Sequence, residues 1–490
     1  MKDLKKKTIR GGYARLCSQA AYLLLRLGSL ALLARLLDPT DFGLLGMVTA
    51  FTGVLSVFRD FGLSTATIQR ATVTEQQTST LFWINILVGA ALTVLVLVFA
   101  PALASFYREP RLFWVTTAVA PGFLFNAAGV QHSALLQRQM RFTALALIDI
   151  FSLMASTLAA IAMAKAGYGY WALIAMTVSL PLFTTIGLWL ATGWVPGRPR
   201  RCADLRSIMR FGGTITLNSI VFYVSTNLEK VLIGRFWGAE AIGLYGRAYQ
   251  LIKIPTDIVN SAVGQVAFSA LSRVQDDPVR LKSYFLKGYS LVLAVTIPAT
   301  LACALFADDI IPFFLGPKWI DAVVLLQIFS PTVFVLAIAN PLGWLLDSLG
   351  MVGRNLRIQL AFAPTMIAGI LVGLPFGPKG VAFAYSSVWA LWVVPVIAWA
   401  VRGTVISFKD VVMAVRQPLF SGLVAAVLVL GLRFSCGQCL TMFPRLVLEA
   451  TLLLGVYVAT LLYVMGQRSF YMDLLRKMSG RSSVAEVPTQ

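Results

Sequence analysis

Apolar residues in this chain fall in long unbroken runs rather than in narrow periodic stripes. Runs of roughly 18 to 28 residues recur, separated by short segments carrying charge, Gly or Pro. At about 1.5 Å of rise per residue, each run is long enough to cross the roughly 30 Å hydrocarbon core of a bilayer. The pattern predicts about fourteen transmembrane helices, the first over residues 12–36 and the last over 444–466. An even number of spans returns both termini to the same side. The expected fold class is an all-α polytopic membrane protein.

Within this pattern lies an internal repeat. The stretch ARLLDPTDFGLLG, from Ala34 to Gly46, recurs in outline as GRFWGAEAIGLYG, from Gly234 to Gly246. Arg35, Gly43, Leu44 and Gly46 match Arg235, Gly243, Leu244 and Gly246, always 200 positions apart (235 less 35). Gly11-Gly12 is answered by Gly212-Gly213, Pro121 by Pro331, and Leu135-Leu136 by Leu345-Leu346. The shift contains six spans, an even number, so both copies point the same way. That is a parallel repeat about an axis along the membrane normal, with a midplane site expected between lobes. The expected organisation is a six-helix lobe over residues 1–200, a second over 206–402, two additional helices over 405–468, and a polar tail over 469–490.

Composition agrees with lipid as the main solvent. Of the 490 residues 58% are hydrophobic and only 13% charged, too few charges to cover a water-facing surface. The first ten residues, MKDLKKKTIR, are basic and run straight into a span-length segment, so insertion by the chain's own helices is expected rather than a cleaved leader. The formal charge of +20 invites a nucleic-acid reading. With the N-terminus placed in the cytoplasm, however, the cytoplasmic segments hold most of the 41 Lys and Arg, as the positive-inside rule requires. Clusters such as Lys5–Lys7 and Arg198, Arg200 and Arg201 are therefore orientation signals first and anionic-lipid contacts second. Nucleic acid is not expected as a partner. Cys436 and Cys439 form a C-x-x-C that is either a disulfide or a coincidence, since no second pair or His cluster completes a metal site.

The sequence NLEKVLIGRFWGAEAIGLYGRAYQ, from Asn227 to Gln250, resembles the signature of the bacterial polysaccharide flippases of the multidrug/oligosaccharidyl-lipid/polysaccharide exporter superfamily. FSALSRVQDDP (Phe268–Pro278), FLGPKW (Phe314–Trp319), ARLLDPTDFG (Ala34–Gly43) and FGLS (Phe61–Ser64) extend the likeness over most of residues 8–400. The resemblance implies two six-helix bundles with two extra helices. It implies transfer of undecaprenyl-diphosphate-linked oligosaccharide repeat units across the bacterial inner membrane, for exopolysaccharide, capsule or O-antigen assembly. Lys253 departs from the family, which more often has an apolar residue there.

Charges inside spans point to function, because each costs about 2.5–3.5 kcal/mol at a helix centre. Arg15, Gln19, Tyr22 and Arg26 recur at i, i+4, i+7 and i+11, one face of a helix. Arg26 lies roughly 21 Å into its span, too deep to reach the interface easily. Asn218, Ser225 and Glu229 make a similar face, with Lys230 beside it, and Arg247, Lys253 and Asp257 follow in the next span. Arg59 beside Asp60 is either an internal salt bridge or a ligand site. If these spans line the cleft, as the resemblance implies, Arg15, Gln19, Tyr22, Arg26, Arg59, Asn218, Lys230, Arg247 and Lys253 bind the diphosphate and sugars. Arg suits phosphate through its bidentate fork. Arg35 and Arg235, at equivalent span ends, are expected to cap helix termini or gate a mouth. His132, the single histidine, is read as a polar interface group ahead of a proton relay.

No G-x-x-x-x-G-K-S/T loop is present to bind ATP, and no cofactor is implied. Ion antiport with H+ or Na+ or passive flipping remains, with Glu229, Asp257 and Asp149 as carriers for an ion. Neither H-E-x-x-H nor G-x-S-x-G occurs, so the chain is not expected to be an enzyme. Expected partners are the lipid-linked oligosaccharide, membrane lipids, and a polysaccharide polymerase with its co-polymerase. Two rival functions keep other sequence features in play: an ion-coupled exporter of small amphiphilic drugs, and a non-transporting scaffold of the assembly machinery.

Overall fold

The computed structural model describes residues 21–57, 74–199, 205–436 and 442–468, and every regular element among them is helical. The chain opens with α1 over residues 21–36 and α2 (Pro39–Val57). It continues with α3 (Glu75–Tyr107), α4 (Arg111–Val119), α5 (Pro121–Arg138), α6 (Phe142–Lys165) and α7 (Trp171–Thr192). The long α8 (Leu205–Arg273) is followed by α9 (Pro278–Leu305), the short α10 (Ala307–Phe314) and α11 (Ala322–Ser348). α12 (Val352–Gly373), α13 (Gly377–Val401), α14 (Phe408–Cys436) and α15 (Met442–Ala459) complete the order. Over the described residues, each of the fourteen sequence-predicted spans falls on one of these helices, α4 and α5 serving together as one.

Local chemistry sets the boundaries. α3 begins at a capping box: the Gln77 amide donates to Thr74 Oγ1 and the Thr74 amide to Gln77 Oε1, satisfying two amides that have no partner inside the helix. It ends where Arg108 turns left-handed, at φ 57°, and its N–H donates to the Ala104 and Ser105 carbonyls. α8 runs for 69 residues, far more than a bilayer needs, and is broken at Gly238, whose φ of 81° and ψ of −173° suit glycine alone. The break divides α8 into two arms, each long enough to span.

Nine helical runs among the described residues are long and apolar enough to cross a membrane on composition alone. One of them, Gly353–Val401, contains both α12 and α13. α8 is not among the nine, since it carries Glu229, Lys230, Arg235, Glu240, Arg247 and Lys253 along its length. Large apolar side chains face outward along the other helices, including Leu87 at 70% exposure, Leu190 at 80% and Leu391 at 75%. Hydrocarbon, not water, is the solvent such a surface suits.

The chain forms two compact units. The first comprises residues 1–247, 314–322 and 363–381, and the second 248–313, 323–362 and 382–490. In the first, α6 packs along α7, and α5 along both α3 and α7. In the second, α9, α14 and α15 build a shared core from Phe285, Tyr289, Leu293, Ile297, Val429, Leu453 and Tyr457. The last two helices are therefore part of a packed core.

Candidate functional site

Three of the sequence stretches that carried the family likeness come together in the first unit. α2 and the second arm of α8 cross so closely that a Cβ on Gly43 would lie 1.7 Å from the Ala239 carbonyl oxygen. A Cβ on Gly243 would lie 2.0 Å from the Pro39 carbonyl oxygen. Pro39 and Ala239 are themselves 200 positions apart, like Gly43 and Gly243, so the contact is reciprocal. The FLGPKW stretch closes on the same place. Trp319, fully buried, donates its indole N–H to the Ala34 carbonyl at 2.9 Å and meets Phe42 edge-on at 5.3 Å. Lys318 Nζ sits 2.6 Å from Asp38.

Charge gathers beside this joint. The Arg247 guanidinium lies over the Phe42 ring, 4.4 Å from its centroid, a cation–π contact. Its charge and that of Arg26 act on each other. Tyr22, one turn before Arg26 on α1, feels both Arg26 and Asp149 of α6. The fold thus draws Tyr22, Arg26, Asp149 and Arg247 from three helices into one electrostatic neighbourhood. Arg26 and Asp149 are exposed although both lie within spans that the sequence predicts. Charges in that position tolerate water and not hydrocarbon.

A second polar group lies along the first arm of α8. The Tyr223 hydroxyl donates to the Thr49 carbonyl at 3.2 Å and interacts electrostatically with Tyr107 and Glu229. Glu229 is 2% exposed. Lys230 Nζ donates to Asn227 Oδ1 at 2.7 Å.

Other expected residues are placed differently. Arg15, Gln19, Arg59 and Cys439 lie outside the described residues, and Asn218, Asp257 and Cys436 lie on helices but their side chains fall outside the description. Lys253 belongs to the second unit, its ammonium 5.6 Å from the centroid of Tyr249, whose hydroxyl is 3.3 Å from that of Tyr385. Arg235 stacks over Phe106 at 5.6 Å, and the Arg35 side chain packs against Gly316. His132 is buried in a box of Phe82, Trp189 and Trp194, with Nδ1 2.7 Å from the Thr192 hydroxyl. Between α3 and α4, a hydrogen bond from Arg111 at 2.8 Å holds the Glu109 carboxyl below the usual carboxylate range. Sequence reasoning missed an ionic cluster of Asp309, Arg433, Arg445 and Glu449 in the second unit. The sequence hid it because Asp309 lies 124 residues before Arg433 and 136 before Arg445.

Residues 32–324 match the family described as polysaccharide biosynthesis protein, which is more than half of the chain. The chain belongs to this family. Among relatives of this polysaccharide biosynthesis protein, the lipopolysaccharide biosynthesis protein WzxC of Escherichia coli K12 is 26% identical over 379 residues, covering 76% of each chain. The teichuronic acid biosynthesis protein TuaB of Bacillus subtilis 168 is 29% identical over 367 residues, covering 74% of each. Among solved structures, the lipid II flippase MurJ in an inward closed conformation superposes with a TM-score of 0.73. The alignment spans 96% of this chain and all of that one at 14% identity, a likeness of fold. This polysaccharide biosynthesis protein is therefore a multi-pass membrane protein, helical throughout its regular elements among the described residues, with the fold of that structure.

Proposed function

We propose that this protein is a flippase that carries undecaprenyl-diphosphate-linked oligosaccharide repeat units across the bacterial inner membrane. The observation that carries the reading is that the charges of Arg26 and Arg247, two guanidiniums in predicted spans, act on each other, while Tyr22 feels the charges of Arg26 and Asp149. A diphosphate offers oxygens that two arginine forks can grip. Tyr22 supplies a hydroxyl to sugar or phosphate, and the polyprenyl tail stays in lipid. Membership of a polysaccharide biosynthesis family supports the cargo class, and the flippase named among its structural neighbours supports the mode of transport.

In this scheme the lobes over residues 1–200 and 206–402 alternate access to a central cationic cavity, to which Lys230 and Lys253 also contribute. Asp149, Glu229 and Asp257 are the candidates for an H+ or Na+ coupling site, and the termini are cytoplasmic. The polymerase with its co-polymerase takes the product on the far side.

The test is a deletion strain whose inner-membrane lipids are extracted and analysed. Undecaprenyl-diphosphate oligosaccharide should accumulate, and wild-type protein should clear it while Arg26→Ala does not. Normal lipid pools with polymer still exported would overturn the cargo assignment, leaving the drug exporter and the scaffold.

A further inference from the structure

The ionic cluster where α14 ends and α15 begins has no part in the transport scheme. Asp309, in the first turn of α10, is 1% exposed. Arg433, near the end of α14, places Nη2 3.5 Å from Asp309 and 3.6 Å from Asp308, and donates Nη1 to the Leu305 carbonyl. Arg445, in the first turn of α15, donates to the other Asp309 oxygen. One buried carboxylate thus holds two guanidiniums. Asp308 is more than half exposed.

Glu449 lies one turn beyond Arg445 and is 1% exposed. Its Oε2 has no hydrogen-bond partner, although the charges of Arg433, Arg445 and Asp309 all act on it. The charged groups facing it come from α10 (Asp309, with Asp308 beyond), from α14 (Arg433) and from its own helix (Arg445). Ionising a buried carboxyl with one oxygen left unpaired is strongly disfavoured, and keeping it neutral far less so. The arrangement with both guanidiniums on Asp309 is the one that a neutral Glu449 permits.

We propose that Glu449 is a proton-binding site, and that loss of its proton transfers Arg445 from Asp309 to Glu449. The only bond broken is the carboxyl O–H, and the proton leaves to water. Residues four apart on a helix are neighbours, so Arg445 needs only a side-chain rearrangement to reach Glu449. Arg433 stays on Asp309, and each carboxylate then has one arginine. In the protonated state Arg445 ties α15 to α10, and in the deprotonated state that tie is released. The proton thereby governs how the last helix is fastened to the core of its unit.

The test is infrared difference spectroscopy on the full-length protein in liposomes, comparing acid with alkaline pH. Wild type should lose a protonated-carboxyl stretching band as pH rises, and Glu449→Gln should lack that change. Arg445→Gln removes the cation that receives the anion, so its band should persist to a pH higher by about one unit or more. The same carboxyl difference spectrum in wild type and Glu449→Gln would overturn the assignment, as would an Arg445→Gln titration superimposable on wild type. If Glu449→Gln does not reach the membrane, Glu449→Asp takes its place. Its band should move in frequency, and an unmoved band would overturn the proposal.

Discussion

Arg247 concentrates the argument at the scale of single residues. Its guanidinium is placed by the Phe42 ring and kept near Arg26, so its value to a phosphate depends on a planar, stacked fork. Arg247→Ala should leave membrane abundance intact and reduce polysaccharide export at least about tenfold, the scale of one charge-assisted hydrogen bond. Arg247→Lys should restore only part, because an ammonium gives up the fork. Surface polysaccharide quantified against immunoblotted membrane protein checks both. Trp319 is a structural counterpart. Trp319→Phe keeps the ring against Phe42 but removes the donor to the Ala34 carbonyl, for an expected loss of about 1–3 kcal/mol. The readout is a lowered unfolding midpoint in detergent. The sequence announced Arg26 and Arg247 as misplaced charges, yet gave no hint that Phe42 would stack on one of them. Pairings between residues 280 or more positions apart, such as Trp319 with Ala34, exist only once the chain has folded.

Elements were the most legible scale, since span length and apolarity are linear properties of a segment. Even the break in α8 at Gly238 fell between two predicted spans, where the apolar run is interrupted by glycine and charge. The crossing of α2 with α8 was not legible, although its glycines stood out as repeated positions. It separates two pairs of glycines that look alike in sequence. Gly43→Ala and Gly243→Ala force a methyl against a backbone carbonyl that cannot swing aside, and should abolish export or the folded protein. Gly46→Ala and Gly246→Ala should be tolerated, because the nearest atoms are an Ile242 side chain at 3.6 Å and nothing within 4 Å, respectively. Thermal midpoints and polysaccharide yield for the four variants give the comparison. Four equal outcomes would contradict the crossing.

For the whole molecule, lipid as solvent was readable from composition, because composition is a sum over the chain. The makeup of the compact units was not, since each draws on three separate stretches of sequence. Nor did the sequence say what the final two helices do, whereas the core they share with α9 makes them structural. A chain ending after residue 404 would strip Val429, Leu453 and Tyr457 from that core. It should fail to accumulate in the membrane, and should do so even when the cargo pathway is absent. Cysteines placed in the tail and in the loop after α7 should both resist a membrane-impermeant maleimide in intact cells. Labelling of either would reverse the orientation drawn from the charge bias.

The reciprocal glycine crossing has an ancestral reading. A surface in which position 39 meets position 243 while 239 meets 43 is complementary to its own copy. A half-length chain bearing the motif once would already possess the means to dimerise in parallel, before any fusion joined the copies. On such an origin, fusion would free each copy to diverge, and DPTDFG on one side and GAEAIG on the other do differ at every position except the glycine that the contact demands.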